Sequence, residues 1–145
     1  MNILVLYQSQ NGHTYDVATT IAEVARDQHH NVSVKSVIEV HQTDVDRADT
    51  IFLGTWVQGL FLFGVKPAGA ELWIPSLPSL EGKPVGIYCT YAFSPRRSLQ
   101  ILGEMLETQG AIIVGEHAFH RNRTHEGVNQ FVQNILQANV SSHDS

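Results

Sequence analysis

The feature that most constrains the fold is an alternation, repeated five times, of a short apolar segment with a segment of helical character. Apolar strands separated by amphipathic helices favour a mostly parallel sheet covered on both faces, because each crossover must return over the sheet. Such a sheet binds its ligand at the carboxyl ends of the strands, where the strand order reverses. The loops after the first, third and fourth predicted strands, residues 8–14, 54–64 and 90–95, are therefore the candidate binding loops.

Local patterns place the individual elements. The predicted strands are Asn2–Tyr7, Val32–Val37, Ile51–Leu53, Val85–Cys89 and Ala111–Val114. The second of these alternates apolar with polar residues, which indicates an edge strand. The predicted helices are Thr14–Gln28, Thr43–Arg47, Pro67–Trp73, a helix from Ser94 that stops at Gly110, and Thr124–Ala138. Between the third strand and the third helix, Gly54–Gly64 is predicted to be an apolar loop.

Length and charge bound the class of protein. The 145 residues amount to a single domain, predicted over residues 1–140 and followed by a flexible tail, residues 141–145. A net charge of −5 without a basic run argues against nucleic acid or an anionic membrane as the partner. The longest apolar run is too short to span a membrane. With one cysteine and no secretory signal, we expect a cytoplasmic protein.

The loop after the first strand has the composition of a phosphate-binding turn. Ser9–Thr14 reads Ser-Gln-Asn-Gly-His-Thr and precedes a helix with one apolar face. The N–H groups of such a turn and of the first helical turn point toward one place, where a phosphate accepts their hydrogen bonds. Gly12 permits a positive φ. Because the loop has no Lys or Arg, the phosphate would be a hydrogen-bonded dianion without a cationic side chain. The alternative is an ordinary turn with Thr14 as the N-cap.

Other motifs predict little chemistry. His117, His120 and His125 lack the spacing of zinc ligands, so no metal is predicted. The absence of a Gly-x-Gly-x-x-Gly or Walker sequence lowers the odds of an NAD or ATP fold. Cys89 ends a buried strand, where we interpret it as a small apolar residue whose oxidation is worth testing. No residue suggests general acid–base or nucleophilic catalysis, so no catalytic residue is predicted.

The three candidate loops resemble the flavin-binding loops of the flavodoxin family. Ser9–Thr14 is similar to the family's Thr/Ser-x-Thr-Gly-x-Thr phosphate loop, with Asn11 where Thr is commoner. Gly54–Gly59 resembles the Thr-Trp-x-x-Gly loop, and Tyr88–Phe93 is similar to the loop that packs an aromatic residue on the other flavin face. The resemblance implies a flavodoxin-like three-layer sandwich, with a five-stranded parallel sheet in the order 2-1-3-4-5 and helices on both faces. Since Glu116–Thr124 is too short for the insertion of long-chain members, the chain resembles a short-chain flavodoxin.

The resemblance implies FMN as the cofactor and assigns residues to it. Trp56 is the candidate for one face of the isoalloxazine, and either Tyr91 or Phe93 for the other. The predicted cofactor-binding residues are Ser9, Gln10, Asn11, Gly12, His13, Thr14, Thr55, Trp56, Val57, Gln58, Gly59, Thr90, Tyr91, Ala92 and Phe93.

The expected partner face departs from the acidic pattern of most flavodoxins. Glu71 is the only acid between Thr50 and Leu80, and none occurs from Gly82 to Gly103. We therefore expect the reduced, anionic flavin to be less destabilised and the low-potential couple to be less reducing; each unit charge is worth on the order of 1 kcal/mol or less at ~6–8 Å. Redox partner proteins are expected at the flavin edge, through Leu60, Phe61, Leu62 and Phe63 with Arg96 and Arg97. Core burial of that apolar run is the alternative.

Three functional classes remain open at this point. The resemblance favours an FMN-binding electron carrier between redox partners. The second class is an NAD(P)H-dependent or quinone-linked flavin reductase, which would be an FMN-dependent oxidoreductase. The third is a flavodoxin-like binding module without flavin.

Overall fold

The computed structural model describes residues 1–8, 12–60, 64–67, 73–92, 94 and 97–144. Its strands are β1 (Asn2–Tyr7), β2 (Asn31–Ser36), β3 (Thr50–Leu60), β4 (Gly64–Pro67), β5 (Pro84–Tyr91) and β6 (Ile112–His120). Its helices are α1 (His13–Asp27), α2 (Gln42–Arg47), α3 (Ser98–Thr108) and α4 (Val128–Asp144), with a short 3-10 turn at Ile74–Ser76.

The sheet has the predicted parallel core. Five parallel strands lie in the order β2-β1-β3-β5-β6, which is the predicted order 2-1-3-4-5 once the small strand β4 is set aside. The flavodoxin-like fold class is therefore confirmed. The edge position predicted for the second strand is confirmed as well, since β2 pairs with β1 alone in this order.

Alternate residues of each central strand enter two separate cores. Leu4 and Leu6 of β1 belong to the cluster completed by α2, the 3-10 turn and α3. Ile3 and Val5 belong to the cluster on the opposite face, completed by α1 and α4. Because successive strand side chains point to opposite faces, a continuous apolar run is what a sheet buried on both sides requires. Burial of each such side chain contributes roughly 1.5–3 kcal/mol relative to exposure.

The predicted loop Gly54–Gly64 is wrong over most of its length. β3 continues to Leu60, and its last four residues pair antiparallel with β4, from Val57 opposite Pro67 to Leu60 opposite Gly64. The chain thus folds back as an extension of β3, and this supplies hydrogen-bond partners to backbone that a loop would leave to water. Phe61, Leu62 and Phe63, which join the two strands, lie outside the described residues.

The other boundaries differ where tertiary pairing decides them. The predicted fifth strand, Ala111–Val114, is too short, because β6 follows β5 in parallel register as far as His120. The predicted helix Pro67–Trp73 is wrong at its start, where Pro67 belongs to β4, and residues 68–72 lie outside the described part.

The last helix lies later in the chain than predicted. It begins at Val128 instead of Thr124, and its helical backbone continues beyond Asn139 to Asp144. Flexibility of the tail stays a prediction. Within the part of the chain that the structure describes, no helix has the length and apolar character to cross a membrane.

Candidate functional site

The carboxyl ends of β1, β3 and β5 meet at one edge of the sheet. Tyr7 at the end of β1 pairs with Gly54 of β3, and Trp56 of β3 pairs with Thr90 of β5. This register brings the three predicted binding loops to the place where the strand order reverses, which is where ligands bind in open α/β sheets.

The first loop ends at a glycine that begins α1. Gly12 is the N-cap of α1, with a φ of 85°, and the helix begins at His13. The interpretation of Thr14 as N-cap is therefore wrong: Thr14 is the second helical residue. Among the described residues, apart from the chain neighbours of Gly12, no atom lies within 4 Å of the place where a Cβ of Gly12 would point. The positive φ favours glycine at this position. Ser9, Gln10 and Asn11 lie outside the described residues.

Thr14 ties the first loop to the third. Its Oγ1 lies 3.0 Å from Oγ1 of Thr90, at hydrogen-bond distance, and both residues are buried. A buried pair of hydroxyls fixes the start of α1 against the end of β5, because each hydroxyl would otherwise pay for desolvation without a partner.

Gln8 ties the first loop to the second. Oγ1 of the buried Thr55 donates to Oε1 of Gln8 at 2.5 Å, and the backbone N–H of Gln8 donates to the carbonyl of Gly54 at 2.9 Å. The sequence analysis did not assign a role to Gln8. Its position directly after an apolar strand was the one feature that could have indicated a role.

A close approach of β3 to Tyr88 fixes the base of the site. A Cβ on Gly54 would lie 2.0 Å from the ring of Tyr88, so only glycine leaves room for that ring. Tyr88 is fully buried and its hydroxyl donates to the carbonyl of Leu6 at 2.9 Å. Burial raises the pKa of Tyr88 well above its ordinary value, so the hydroxyl keeps its proton.

Trp56 and its neighbours are the part of the candidate site that the second loop supplies. The side chains of Trp56 and Val57 are half-buried. Nε1 of Trp56 is buried, and no hydrogen-bond partner for it exists within the described structure. A buried indole N–H usually has a hydrogen-bond partner in a folded protein. Gln58 and Gly59 lie in the β3–β4 ladder, opposite Lys66 and Val65.

The third loop places Tyr91 at the rim. Its half-buried ring contacts His120 of β6 edge-on, with centroids 5.3 Å apart and planes at 82°. Ala92 is half-buried, whereas Phe93 and Arg96 lie outside the described residues. Arg97, the N-cap of α3, is exposed. The choice between Tyr91 and Phe93 as the second stacking residue stays a prediction.

A polar clamp holds α1 against the loop before α4. Oγ1 of Thr124 donates to the carboxylate of Asp16, which also lies 3.7 Å from Nε2 of His125. Thr20 Oγ1 and Nδ1 of the same histidine are 3.0 Å apart. Of the three histidines considered as metal ligands, His117 and His120 lie on β6 and His125 belongs to this clamp. The described residues contain no cluster of three metal-ligating groups.

Cys89 lies beneath the site as an inert thiol. It is 1% exposed, and burial followed by the charge of Glu116 raises the pKa of Cys89 to about 12. Since the thiolate is the reactive form, this environment disfavours oxidation.

A parallel sheet with three loops gathered at the reversal of its strand order places the protein in the flavodoxin-like class of α/β proteins. The sequence model of the flavodoxin domain matches residues 4–117, and the chain therefore belongs to the flavodoxin family.

Solved structures show the same fold at low sequence identity. Two-electron reduced flavodoxin from Megasphaera elsdenii superposes with a TM-score of 0.76 at 20% identity, covering 95% of this chain and 98% of that one. Flavodoxin 2 from Bacillus cereus, in the oxidised form, gives 0.74 at 22% identity, with 94% and 99% covered. Rubredoxin oxygen:oxidoreductase from Desulfovibrio gigas gives 0.73 at 19% identity, with 99% of this chain but 37% of that chain covered. No curated protein matches the sequence significantly.

Proposed function

We propose that this protein binds FMN at the edge formed by β1, β3 and β5 and carries electrons between redox partners. The observation that carries the proposal is the register that brings the carboxyl ends of β1, β3 and β5 to one edge, with Gly12 in a left-handed conformation at the start of α1. A ligand with a flat ring at the ends of β3 and β5 and a phosphate at the start of α1 would occupy this whole edge. Family membership supports flavin as that ligand.

The phosphate end of FMN fits the first loop. Gly12 takes a left-handed conformation at the start of α1, where the helix dipole would favour an anion. Thr14 lies at the same turn, with its hydroxyl held by Thr90. Ser9, Gln10 and Asn11 complete the proposed cradle. Within Ser9–Thr14 there is no Lys or Arg, so these groups would hold the phosphate by hydrogen bonds and the helix dipole alone.

The ring end fits the second and third loops. Trp56 would cover one face of the isoalloxazine, and Tyr91 or Phe93 the other. The remaining predicted contacts are His13, Thr55, Val57, Gln58, Gly59, Thr90 and Ala92. Bound flavin supplies the ability to accept and donate one or two electrons. The protein's part is to hold the ring, to limit its contact with water and to set the charge around it.

The partner would dock beside the proposed ring site. β3 ends at Leu60 and β4 begins at Gly64, and α3, which begins after Arg97, packs against β4. We propose an apolar face, Leu60, Phe61, Leu62 and Phe63, with a basic rim that includes Arg96 and Arg97. Such a face should show weak salt dependence of electron transfer, since salt screens charge steering much more than apolar contact. A steep fall in rate with salt would count against it.

The low number of acidic residues near the loops should affect the reduction potential of bound flavin. Between Gly82 and Gly103 there is no acid, and Arg97 is exposed at the rim. Negative charge gained on reduction would therefore meet less repulsion than in an acidic flavodoxin. We propose a less reducing low-potential couple, which redox titration of the purified protein measures directly. A strongly negative potential for that couple contradicts this part of the proposal.

The test of the proposed site compares two ligands that differ by the phosphate. Purified protein should show flavin absorbance and should rebind both FMN and riboflavin after the cofactor is removed. If Thr90 donates to Thr14, the proton of the Thr14 hydroxyl is left for the phosphate. In Thr14→Val we therefore expect FMN affinity to fall about 10- to 100-fold, from the loss of a hydrogen bond to a charged group worth ~1.5–3 kcal/mol. Riboflavin affinity should change much less.

Thr108→Val is the matched control for this experiment. Its hydroxyl donates to the carbonyl of Glu104 on the exposed surface of α3, away from the loops. It should leave both affinities unchanged. Equal weakening of FMN and riboflavin by Thr14→Val would place the phosphate elsewhere, and failure to bind either ligand would refute the proposed function.

A further inference from the structure

One edge of the sheet, β2, is protected against pairing with a further strand. The N–H of Asn31 donates to the carbonyl of Met1 at 3.1 Å and so points toward β1. The next residue, Val32, therefore directs its own N–H and C=O away from the sheet. Nη2 of Arg26 donates to that carbonyl at 3.2 Å, and Lys35 lies further along the same strand. Charged side chains on an edge strand, lysine above all, discourage another strand from adding to it.

The opposite edge, β6, carries no such protection. Among the described strands it pairs with β5 alone, and the stretch Ile112–His120 contains no Lys, Arg or Pro. The N–H of Arg121 donates to a carbonyl of β5 at 2.9 Å, which sets the alternation along the strand. Glu116, Ala118 and His120 therefore point their N–H groups away from the sheet. A row of outward backbone groups is a template on which another strand can pair.

A bulge restricts this open edge to the second half of β6. Val85 of β5 pairs with Ile113, whereas the next residue of β5 pairs with Gly115. Val114 is therefore an extra residue in β6, and a bulge of this kind twists the strand and interrupts pairing. From Gly115 to the end of β6 the register with β5 is regular. This regular segment is the part of the edge that can accept another strand.

The side chains of the regular segment favour a second copy of this chain as the added strand. In an antiparallel pair centred on Ala118, Glu116 of each copy lies opposite His120 of the other, so two-fold symmetry produces this pair twice. Glu116 is exposed. The N–H of Asn122 donates to Nδ1 of His120 at 3.1 Å, so in the neutral ring Nε2 carries the proton and can donate it to a carboxylate. Centring the pair on Glu116 would instead set two carboxylates against each other, and centring it on His117 would leave Glu116 opposite alanine.

We propose that two copies of this chain associate through β6, antiparallel and centred on Ala118, so that their sheets join into one. The inference goes beyond the proposed function and does not depend on flavin. Ala118 and its copy exchange N–H···O bonds, and the N–H of each His120 donates to the carbonyl of the Glu116 opposite. Because the strands run antiparallel across the junction, the carboxyl edges of the two sheets lie at opposite ends of the dimer. Both proposed cofactor sites therefore stay open to a redox partner.

The first experiment measures the mass of the purified protein by analytical ultracentrifugation as its concentration is raised into the millimolar range. The paired segment is short and small interfaces associate weakly, so we expect a monomer–dimer equilibrium. Glu116→Lys should weaken association about 10-fold or more, because it removes both Glu–His pairs and places a lysine on the edge. Glu23→Lys, exposed on α1, is the matched control with the same change of charge and should leave association unchanged. A protein that stays monomeric throughout, or a dimer that Glu116→Lys does not weaken more than Glu23→Lys, overturns the inference.

The second experiment needs no variant, because it locates the junction in the wild-type protein. Amide hydrogen exchange is followed by NMR at high protein concentration and after dilution. The N–H groups of Ala118 and His120 should be protected at high concentration and exchange faster on dilution. Those of Val34 and Ser36, which point outward from β2, should exchange at the same rate in both samples. Exchange at Ala118 that does not depend on concentration, or protection that appears at Val34 instead, overturns the inference. Failure to bind FMN would refute the proposed function and leave these two measurements unaffected.

Discussion

The buried hydroxyl pair Thr14–Thr90 gives a quantitative test of how the first and third loops are joined. Thr14 is 1% exposed and Thr90 2% exposed, with 3.0 Å between the two oxygens. Replacing either by valine keeps the branched shape but leaves the other hydroxyl buried without its partner. An unsatisfied buried group costs ~1–3 kcal/mol, so each single variant should lose about that much free energy of unfolding. Removing both hydroxyls leaves an apolar pair, and the double variant should cost less than either single variant suggests.

The assay is urea unfolding of the wild-type protein, both single variants and the double variant, all without FMN. The coupling energy is the double-variant change minus the sum of the single-variant changes, and we expect ~1–3 kcal/mol of non-additivity in favour of the double variant. Additive losses would show that the two hydroxyls do not bond each other. The connection between α1 and β5 would then have to be assigned to other contacts.

Two further predictions concern the base of the site. Gly54→Ala should lower the free energy of unfolding by about 1–3 kcal/mol, because its methyl group would overlap the ring of Tyr88, at 2.0 Å; urea unfolding measures this. Gly103→Ala in α3 is the control, because its new Cβ would lie 3.4 Å from Ile87, at ordinary contact distance. This variant should raise the free energy of unfolding by up to ~1 kcal/mol. A destabilised Gly103→Ala together with a neutral Gly54→Ala would contradict the packing. Burial raises the pKa of Cys89 to about 12, so its thiol stays protonated at neutral pH. Cys89 should therefore react with an alkylating reagent only after the protein unfolds. Fast labelling of the native protein would show that the thiol is accessible.

Sequence pattern was a good guide to the elements and to the loops that meet. The continuous apolar runs of the first, third and fourth predicted strands correctly indicated strands buried on both faces. The order of the parallel strands followed from the family resemblance and is confirmed. Of the predicted site residues, Gly12, Trp56 and Tyr91 lie in loops or strands whose ends the structure brings together.

The features that the sequence analysis did not predict share one cause. The extension of β3 to Leu60 depends on pairing with β4, and the length of β6 depends on β5 as a partner. Gln8 and His120 gain their roles from Thr55 and Tyr91, which are distant in the chain. A hydrophobic period within one segment carries no information about such partners.

The sequence by itself indicated the five parallel strands, most of the helices and the three loops at the reversal of strand order, because side-chain burial imposes a period that can be read within one segment. Only the tertiary structure decided that Gly54 must lack a side chain beside Tyr88 and that the ring of His120 contacts Tyr91. Each of these features is a contact between residues from different strands, and its geometry exists only once the sheet has brought those strands side by side.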